Sequence, residues 1–299
     1  MSGPLIALAV VAVCWILINL KTSRPDGQLI PDVHPYRVML GHITPRRNEA
    51  IVYFDSYIPA DRLLAYIAQA RRRGGALAEV DITHCLLGAV ALALKENPRM
   101  NRFVAGRRLY QRSERAITFS AKRKRLDRDA KLATPKLVLP ADGSETFAEL
   151  CARVDRLIGA ERKEGPTYLD RELGLLTLLP RAVLVRGVPF FMWLDYHNLL
   201  PRSFIANDGM FTSVFVANLG SLNMDPGYHH LYEWGNCPVF LTAGKIAERP
   251  TVVDGQVVAQ KTLHLRWSFD ERIDDGLNAR FGIDTVRRVL EDPEKYFGG

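Results

Sequence analysis

The sequence predicts an α/β fold, a mixed sheet flanked by helices, carried behind one N-terminal transmembrane helix. Three observations predict it. Helical and strand periodicities alternate from residue 50 onward. The last third is rich in strands and holds an Asp254-Gly255 turn between Val252-Val253 and Val257-Val258, the chemistry of a β-hairpin. The stretch Ser2 to Leu20 carries no charged side chain, and Leu5 to Leu20 is mostly Leu, Ile, Val and Ala.

The chain has 299 residues, 47% hydrophobic and 24% charged, enough to bury a sizeable core. That composition excludes a wholly disordered chain, a collagen-like repeat and a polytopic membrane protein. Its net charge of +7 is compatible with an anionic partner without demanding one. Four cysteines, Cys14, Cys85, Cys151 and Cys237, form no CxxC pair, so neither a disulfide framework nor a structural zinc is expected. This is the usage of a reducing compartment.

The uncharged N-terminal run is long enough to cross a hydrocarbon layer of ~30 Å as a helix. No basic residue precedes it and no small-residue cleavage site follows, so it reads as an anchor and not a cleaved leader. The first charges, Lys21, Arg24, Arg37, Arg46 and Arg47, lie on its C-terminal side, which places the soluble part in the cytosol. The expected organisation is an anchor over 1–20, a tether over 21–49 rich in proline, and one domain over 50–299.

Within that domain, Ala50 to Ile58 alternates as a strand. Pro59-Ala60-Asp61 opens an amphipathic helix that Gly74-Gly75 stops. A second helix from Asp81 to Lys95 is apolar almost all round, hence buried. Strands follow over Arg107 to Lys122 and Lys136 to Leu139, around the basic turn Lys122 to Arg125. Phe147 to Ala160 is a further amphipathic helix. Residues 172–200 are apolar and broken by Pro180 and Pro189, which suggests two short helices. Strands over Phe211 to Asn218, Val239 to Lys245 and Leu263 to Phe269 lead to a closing helix, Gly276 to Leu290.

Four motifs in order carry a resemblance. They are Ala89 to Pro98 with Met100-Asn101; Val216-Ala217-Asn218-Leu219-Gly220; Lys245-Ile246 with Pro250 to Gly255; and Ser268-Phe269-Asp270-Glu271-Arg272-Ile273-Asp274-Asp275-Gly276. Over about residues 45–295 the chain resembles the catalytic domain of the 2-oxoacid dehydrogenase (dihydrolipoamide) acyltransferases, whose fold is shared with chloramphenicol acetyltransferase. The resemblance implies a homotrimer with a channel at each subunit interface, entered by coenzyme A from one end and the acyl acceptor from the other. It also implies a histidine base in D-H-R-x-x-D-G and a hydroxyl that donates to the oxyanion. Here Glu271 stands at the histidine position and Ala217 at the hydroxyl position. Arg272 and Asp275 are kept, and the resemblance assigns that aspartate a structural pairing with an arginine. Asn218 keeps its place, and backbone N–H groups near it would have to hold the oxyanion. Lipoyl and subunit-binding domains are missing from this sequence, and the apolar run stands in their place. The Glu271 form, together with His229-His230-Leu231-Tyr232-Glu233-Trp234-Gly235, resembles a stand-alone branch of the superfamily.

Losing a positioned base costs roughly 10²–10⁴ in rate and losing one oxyanion donor roughly 10²–10³. A carboxylate is a weaker base towards a thiol than an imidazole. Glu271 is therefore either a replacement base or the satisfied partner of an arginine such as Arg272. His229 and His230 are alternative bases; on a strand they would face opposite ways, so at most one would reach the site. His84 and His264 read as satisfied core histidines, and His197 is spaced to recruit Asp195. Arg71 to Arg73 and Lys122 to Arg125 lack the aromatic interleaving of a nucleic-acid surface and read as solvated helix ends and turns, with anionic lipid, given the anchor, the better functional reading. No nucleotide-binding loop, nucleophile elbow or metal-ligand cluster is present in the pattern. The expectation is an acyltransferase-fold protein acting on acyl-CoA or lipid acyl groups at the cytosolic membrane face, with coenzyme A as cosubstrate and no bound metal. The alternative is a catalytically degenerate trimeric scaffold or acyl-ligand-binding protein.

Overall fold

The computed structural model describes residues 3–122, 132–162, 174 and 177–298. Its centre is a six-stranded sheet built from β2 (Ile51–Pro59), β5 (Ala116–Phe119), β8 (Lys136–Val138), β9 (Val214–Asn218), β10 (Val239–Val253) and β11 (Gln256–Asp270). The spatial order is β2-β11-β10-β9-β5-β8. β9 runs parallel to β5 and β10, while the outer pairings and β10–β11 are antiparallel, so the sheet is mixed.

Strand alternation gives the sheet two unlike faces. Val214, Val216, Val239, Leu241, Ala243, Leu263, Leu265, Trp267 and Phe269 form one face, buried in the main core. Over it pack α3 (Asp61–Arg73), α4 (Ile82–Glu96), α5 (Phe147–Arg162) and α8 (Gly276–Glu291). α4 buries nine residues, in keeping with its nearly all-round apolar sequence. The other face presents Phe215 and Ala217 on β9, Phe240 and Thr242 on β10, Arg266 and Ser268 on β11, and Tyr53 and Asp55 on β2, in lateral register.

The Asp254-Gly255 turn joins one hairpin of two 15-residue strands, not the separate short strands that periodicity suggested. Asp254 and Gly255 both take positive φ, as that two-residue turn requires. A bulge between Ala243 and Ile246 breaks the register, which is why the apolar alternation lapses there.

Residues 21–49 are more than a tether. They contain β1 (Gly27–Leu29) and α2 (Pro35–Ile43), and β1 joins β3 (Arg102–Ala105) and β4 (Arg108–Arg112) in a second sheet. Three of the five basic residues expected to flank the anchor turn inward. Arg24 pairs with Asp26 and Asp195, Arg37 with Asp274, and Arg47 with Asp270. β6 (Ala121–Lys122) and β7 (Leu132–Ala133) form a small ladder; Arg123 to Arg125 lie outside the described residues.

α1 (Gly3–Leu20) is a single apolar helix with no buried residue, long enough to cross a membrane, with mean hydropathy 2.4. Across the stretch read as two short helices, Gly174 and Thr177 are helical, the chain turns at 178–180, and α6 (Arg181–Tyr196) starts after Pro180; Pro189 lies inside α6 and does not end it. Leu173, Leu175 and Leu176 lie outside the described residues. α7 (Arg202–Asn207) then leads into β9, and α9 (Pro293–Phe297) ends the chain.

Candidate active site

Glu271 follows the last residue of β11. Its backbone N–H donates to the Ala50 carbonyl at 2.9 Å, and its own carbonyl accepts from Arg37 Nη1 at 3.1 Å. Among the described residues its carboxylate makes no hydrogen bond and no ion pair. The alternative that Glu271 satisfies Arg272 is therefore overturned. Arg272 closes on Asp270 instead, Nε to Oδ1 and Nη2 to Oδ2, each at 2.8 Å. The remaining donor, Nη1, bonds the Pro45 carbonyl at 2.9 Å. Burial works against the Arg272 charge, but the Asp270 hydrogen bond and charge outweigh it and hold the guanidinium above its ordinary value. Such a two-pronged, buried pair fixes the turn on both sides of Glu271.

Asp275 does not pair with an arginine as the resemblance implies. It is exposed and caps the N-terminus of α8, accepting from the Asn278 N–H at 3.0 Å. That bond holds its carboxyl below the usual carboxylate range. The arginine-binding role passes to its neighbour. Asp274 is buried and takes Arg37, Arg99 and Arg102 at 3.3–3.5 Å. Sequence spacing could not separate two adjacent aspartates; only the direction each leaves the chain does.

Ala217 is buried on β9 among Phe215, Leu231, Cys237 and Phe240. Its partner across the ladder is Thr242, also buried. That threonine hydroxyl, which makes no hydrogen bond among the described residues, went unnoticed in the sequence because no local pattern marks it. Asn218 closes the following turn: its Oδ1 accepts from Ser221 N–H at 3.3 Å and its Nδ2 donates to Thr83 Oγ1 at 3.1 Å. Gly220 is required here, since a Cβ would lie 2.5 Å from the Gly244 carbonyl oxygen.

His229 and His230 are not on a strand and do not face opposite ways. Their rings stack at 4.7 Å, and His229 also stacks on Phe240 at 3.8 Å. His229 thus lies over an aromatic of the Ala217 cluster itself. Burial, with the charge of His230 beside it, holds its imidazole below the ordinary histidine value, hence neutral at pH 7. The segment is pinned at both ends. Arg266 Nη1 donates to the Pro226 carbonyl at 2.8 Å, and Glu233 accepts from the Arg47 and Asn48 N–H groups at 3.2 and 3.0 Å. Ser268 Oγ donates to the His229 carbonyl between them.

The isolated histidines behave as core residues. His264 Nε2 lies 2.6 Å from Asp55 Oδ1, and His84 bridges Asp81 and Asp155 at 2.8 and 3.2 Å. His197 does not recruit Asp195, whose carboxylate goes to Arg24. Among the described residues no cluster of His, Cys, Asp and Glu could hold a metal.

Ala217 and Glu271 do not converge within one chain. Thr242 pairs with Ala217 on one side and Arg266 on the other, and Glu271 is five residues beyond Arg266. At ~3.4 Å per strand residue, that is about 17 Å along the sheet, besides two strand spacings across it.

Residues 207–298 match the 2-oxoacid dehydrogenases acyltransferase (catalytic domain) family. The match spans Ala217, the hairpin and Glu271, less than a third of the chain. In the lipoamide acyltransferase component of the branched-chain alpha-keto acid dehydrogenase complex of Pseudomonas putida, 45% of 53 residues are identical. That stretch covers 18% of this chain and only 12% of the relative. The likeness in structure extends much further. A probable dihydrolipoamide acetyltransferase of Listeria monocytogenes superposes with a TM-score of 0.55 at 16% identity, over 88% of this chain and 94% of that one. The Azotobacter vinelandii dihydrolipoamide acetyltransferase, whose structure was used to probe a serine, a histidine and an asparagine in its catalytic mechanism, gives 0.55 at 17% identity, over 93% and 99%. The fold is that of the acyltransferase catalytic domain, with its matched signature in the C-terminal part.

Proposed function

We propose that this protein is a membrane-anchored acyltransferase that takes an acyl group from coenzyme A at the cytosolic face, working as a homotrimer with its site between subunits. The observation that carries the reading is the free Glu271 carboxylate, held between the two halves of the Asp270–Arg272 pair. A residue that had drifted into a structural role would be expected to have a partner. The ~17 Å that separates Glu271 from the Ala217 row supports a site completed by a second copy.

In this reading Glu271 accepts the proton of the acceptor thiol or hydroxyl as that atom attacks the thioester carbonyl. The carbonyl π electrons move to oxygen, and the oxyanion is met by backbone N–H groups near Asn218 and by the Thr242 hydroxyl beside Ala217. Collapse reforms the carbonyl, breaks the C–S bond and expels coenzyme A as thiolate, which recovers the proton from Glu271. α1, uncharged and with no buried residue, would hold the trimer at the bilayer.

The test is release of free coenzyme A from short- and long-chain acyl-CoAs by the full chain, beside Glu271→Gln. Turnover that the variant loses establishes the acyltransferase and names its chain length. One observation favours a second reading. The family's hydroxyl position holds a methyl group sealed in an apolar cluster, as a non-catalytic scaffold or acyl-ligand-binding trimer would tolerate. No release above background, from a folded trimer, would make that reading the working one.

A further inference from the structure

α6 is a helix without a covered face. It buries no residue, and Val185, Val188 and Phe190 are 60%, 47% and 54% exposed. Only its inner edge touches the body. Phe191 stacks on Phe204 at 5.6 Å, and Leu194 packs against the small cluster of Leu200, Ile205 and Phe211. At 3.6 residues per turn, Val185, Val188, Pro189 and Met192 then share the outward side.

The C-terminal end of this helix is where α1 leaves the body. Trp15 lies edge-on to His197 at 6.0 Å, and Asn198 Nδ2 donates to the Lys21 carbonyl at 2.9 Å. Arg108 bonds the Asn19 and Lys21 carbonyls, and Arg24 pairs with Asp195 on the last turn of α6 at 2.9 Å. Two apolar, largely exposed helices thus meet at one anchored corner. Their charges fit one surface as well. α6 carries Arg181 and Arg186, both exposed, and its single acid, Asp195, is turned inward onto Arg24.

We propose that α6 lies in the interfacial layer of the bilayer that α1 enters, with its outward apolar side among the acyl chains and Arg181 and Arg186 at anionic headgroups. The inference rests on the anchor reading of α1. α6 is apolar over most of its circumference, with Arg181 at the head of the Val185, Val188 and Met192 stripe and Arg186 about a quarter-turn round from Val185, so each arginine can lay its stem on the apolar surface and reach acidic headgroups. A second copy of the chain would give the arginines no acidic partner on α6 itself.

The test uses the full chain in vesicles of phosphatidylcholine, with and without phosphatidylglycerol. An environment-sensitive fluorophore is placed on Val188→Cys or, separately, Val185→Cys, each in a Cys14→Ser background, since the other three cysteines are buried. Native Cys14 labelled alone reports on α1, and Val257→Cys at the hairpin tip is the reference. A nitroxide-bearing lipid should quench the α6 labels several-fold more than the hairpin label, and Arg181→Glu with Arg186→Glu should remove most of the gain given by phosphatidylglycerol. Quenching of the Cys14 label without the α6 labels keeps the anchor and overturns this inference. Quenching on α6 but not at Cys14 overturns the anchor, and with it the inference that α6 shares the bilayer α1 enters. α6 labels that are blue-shifted in detergent and untouched by the nitroxide would identify a second copy as the cover, and so overturn it.

Discussion

Asp270 and Arg272, two residues apart on the chain, close on each other through two hydrogen bonds of 2.8 Å and leave Glu271 between them unpaired. Both partners are almost fully buried, at 1% and 5% side-chain exposure. Removing one partner of a buried pair leaves the other charge uncompensated. Asp270→Asn should therefore lower the unfolding free energy by about 3–5 kcal/mol. Glu271→Gln, which breaks no contact, should change it by less than about 0.5 kcal/mol. Denaturant unfolding of the two variants side by side checks this, and a large loss from Glu271→Gln would show that the carboxylate has a structural role.

Activity should move the other way. Glu271→Gln is expected to reduce coenzyme A release by about 10²–10⁴, the usual worth of a positioned base. Thr242→Val, which removes the hydroxyl beside Ala217, should lower it by about 10²–10³, while Ala217→Ser should change it only a few-fold. Steady-state rates on the preferred acyl-CoA decide both, and a large gain from Ala217→Ser would mean that Thr242 does not supply the donor.

His84 sets a pH dependence of stability. Burial alone would lower its imidazole, but the Asp81 hydrogen bond and the charges of Asp81 and Asp155 outweigh that and raise it above 6.5. A raised histidine contributes fully below its unfolded value, and that contribution is lost as pH rises through the folded one. Asp81 is lowered below 3.8, against its own burial, chiefly by His84, so its half of the pair is lost only in stronger acid. The excess Tm of the native chain over His84→Gln should be greatest between 3.8 and 6.5 and shrink as pH rises above that. Its size is on the order of 2 °C. Melting curves across that range test it, and a gap that widens in alkali would reverse the assignment.

Gly244 sits under the segment that carries His229. A Cβ there would collide with the Pro226 ring and backbone nitrogen. Gly244→Ala should cost about 1–3 kcal/mol. Because the segment must lift to make room, it should also weaken the stacking of His229 on Phe240. The His229 imidazole then titrates nearer its ordinary value, visible by NMR. An unchanged titration would show that the segment yields without moving the histidine.

Periodicity, capping and turn chemistry are local properties, and they were enough to place the mixed sheet, the buried α4, the hairpin turn and the uncharged first helix. They also marked Ala217 and Glu271 as the changed positions, since a motif is a local spacing. Local pattern failed wherever a side chain answers to something distant. Arg24, Arg37 and Arg47 read as charges trailing an anchor, yet each meets an aspartate far along the chain or folded back on it. Asp274 and Asp275 are neighbours with opposite duties, one buried under three arginines and one capping a helix. His229 and His230 stack because their segment crosses the sheet as a coil held by Arg47, Asn48 and Arg266, and no alternation governs a coil. Composition fixes which residues are available. Long-range packing and ion pairing, which depend on what the folded chain brings within a few ångströms, settle which of them are used and which, like Glu271, are left free.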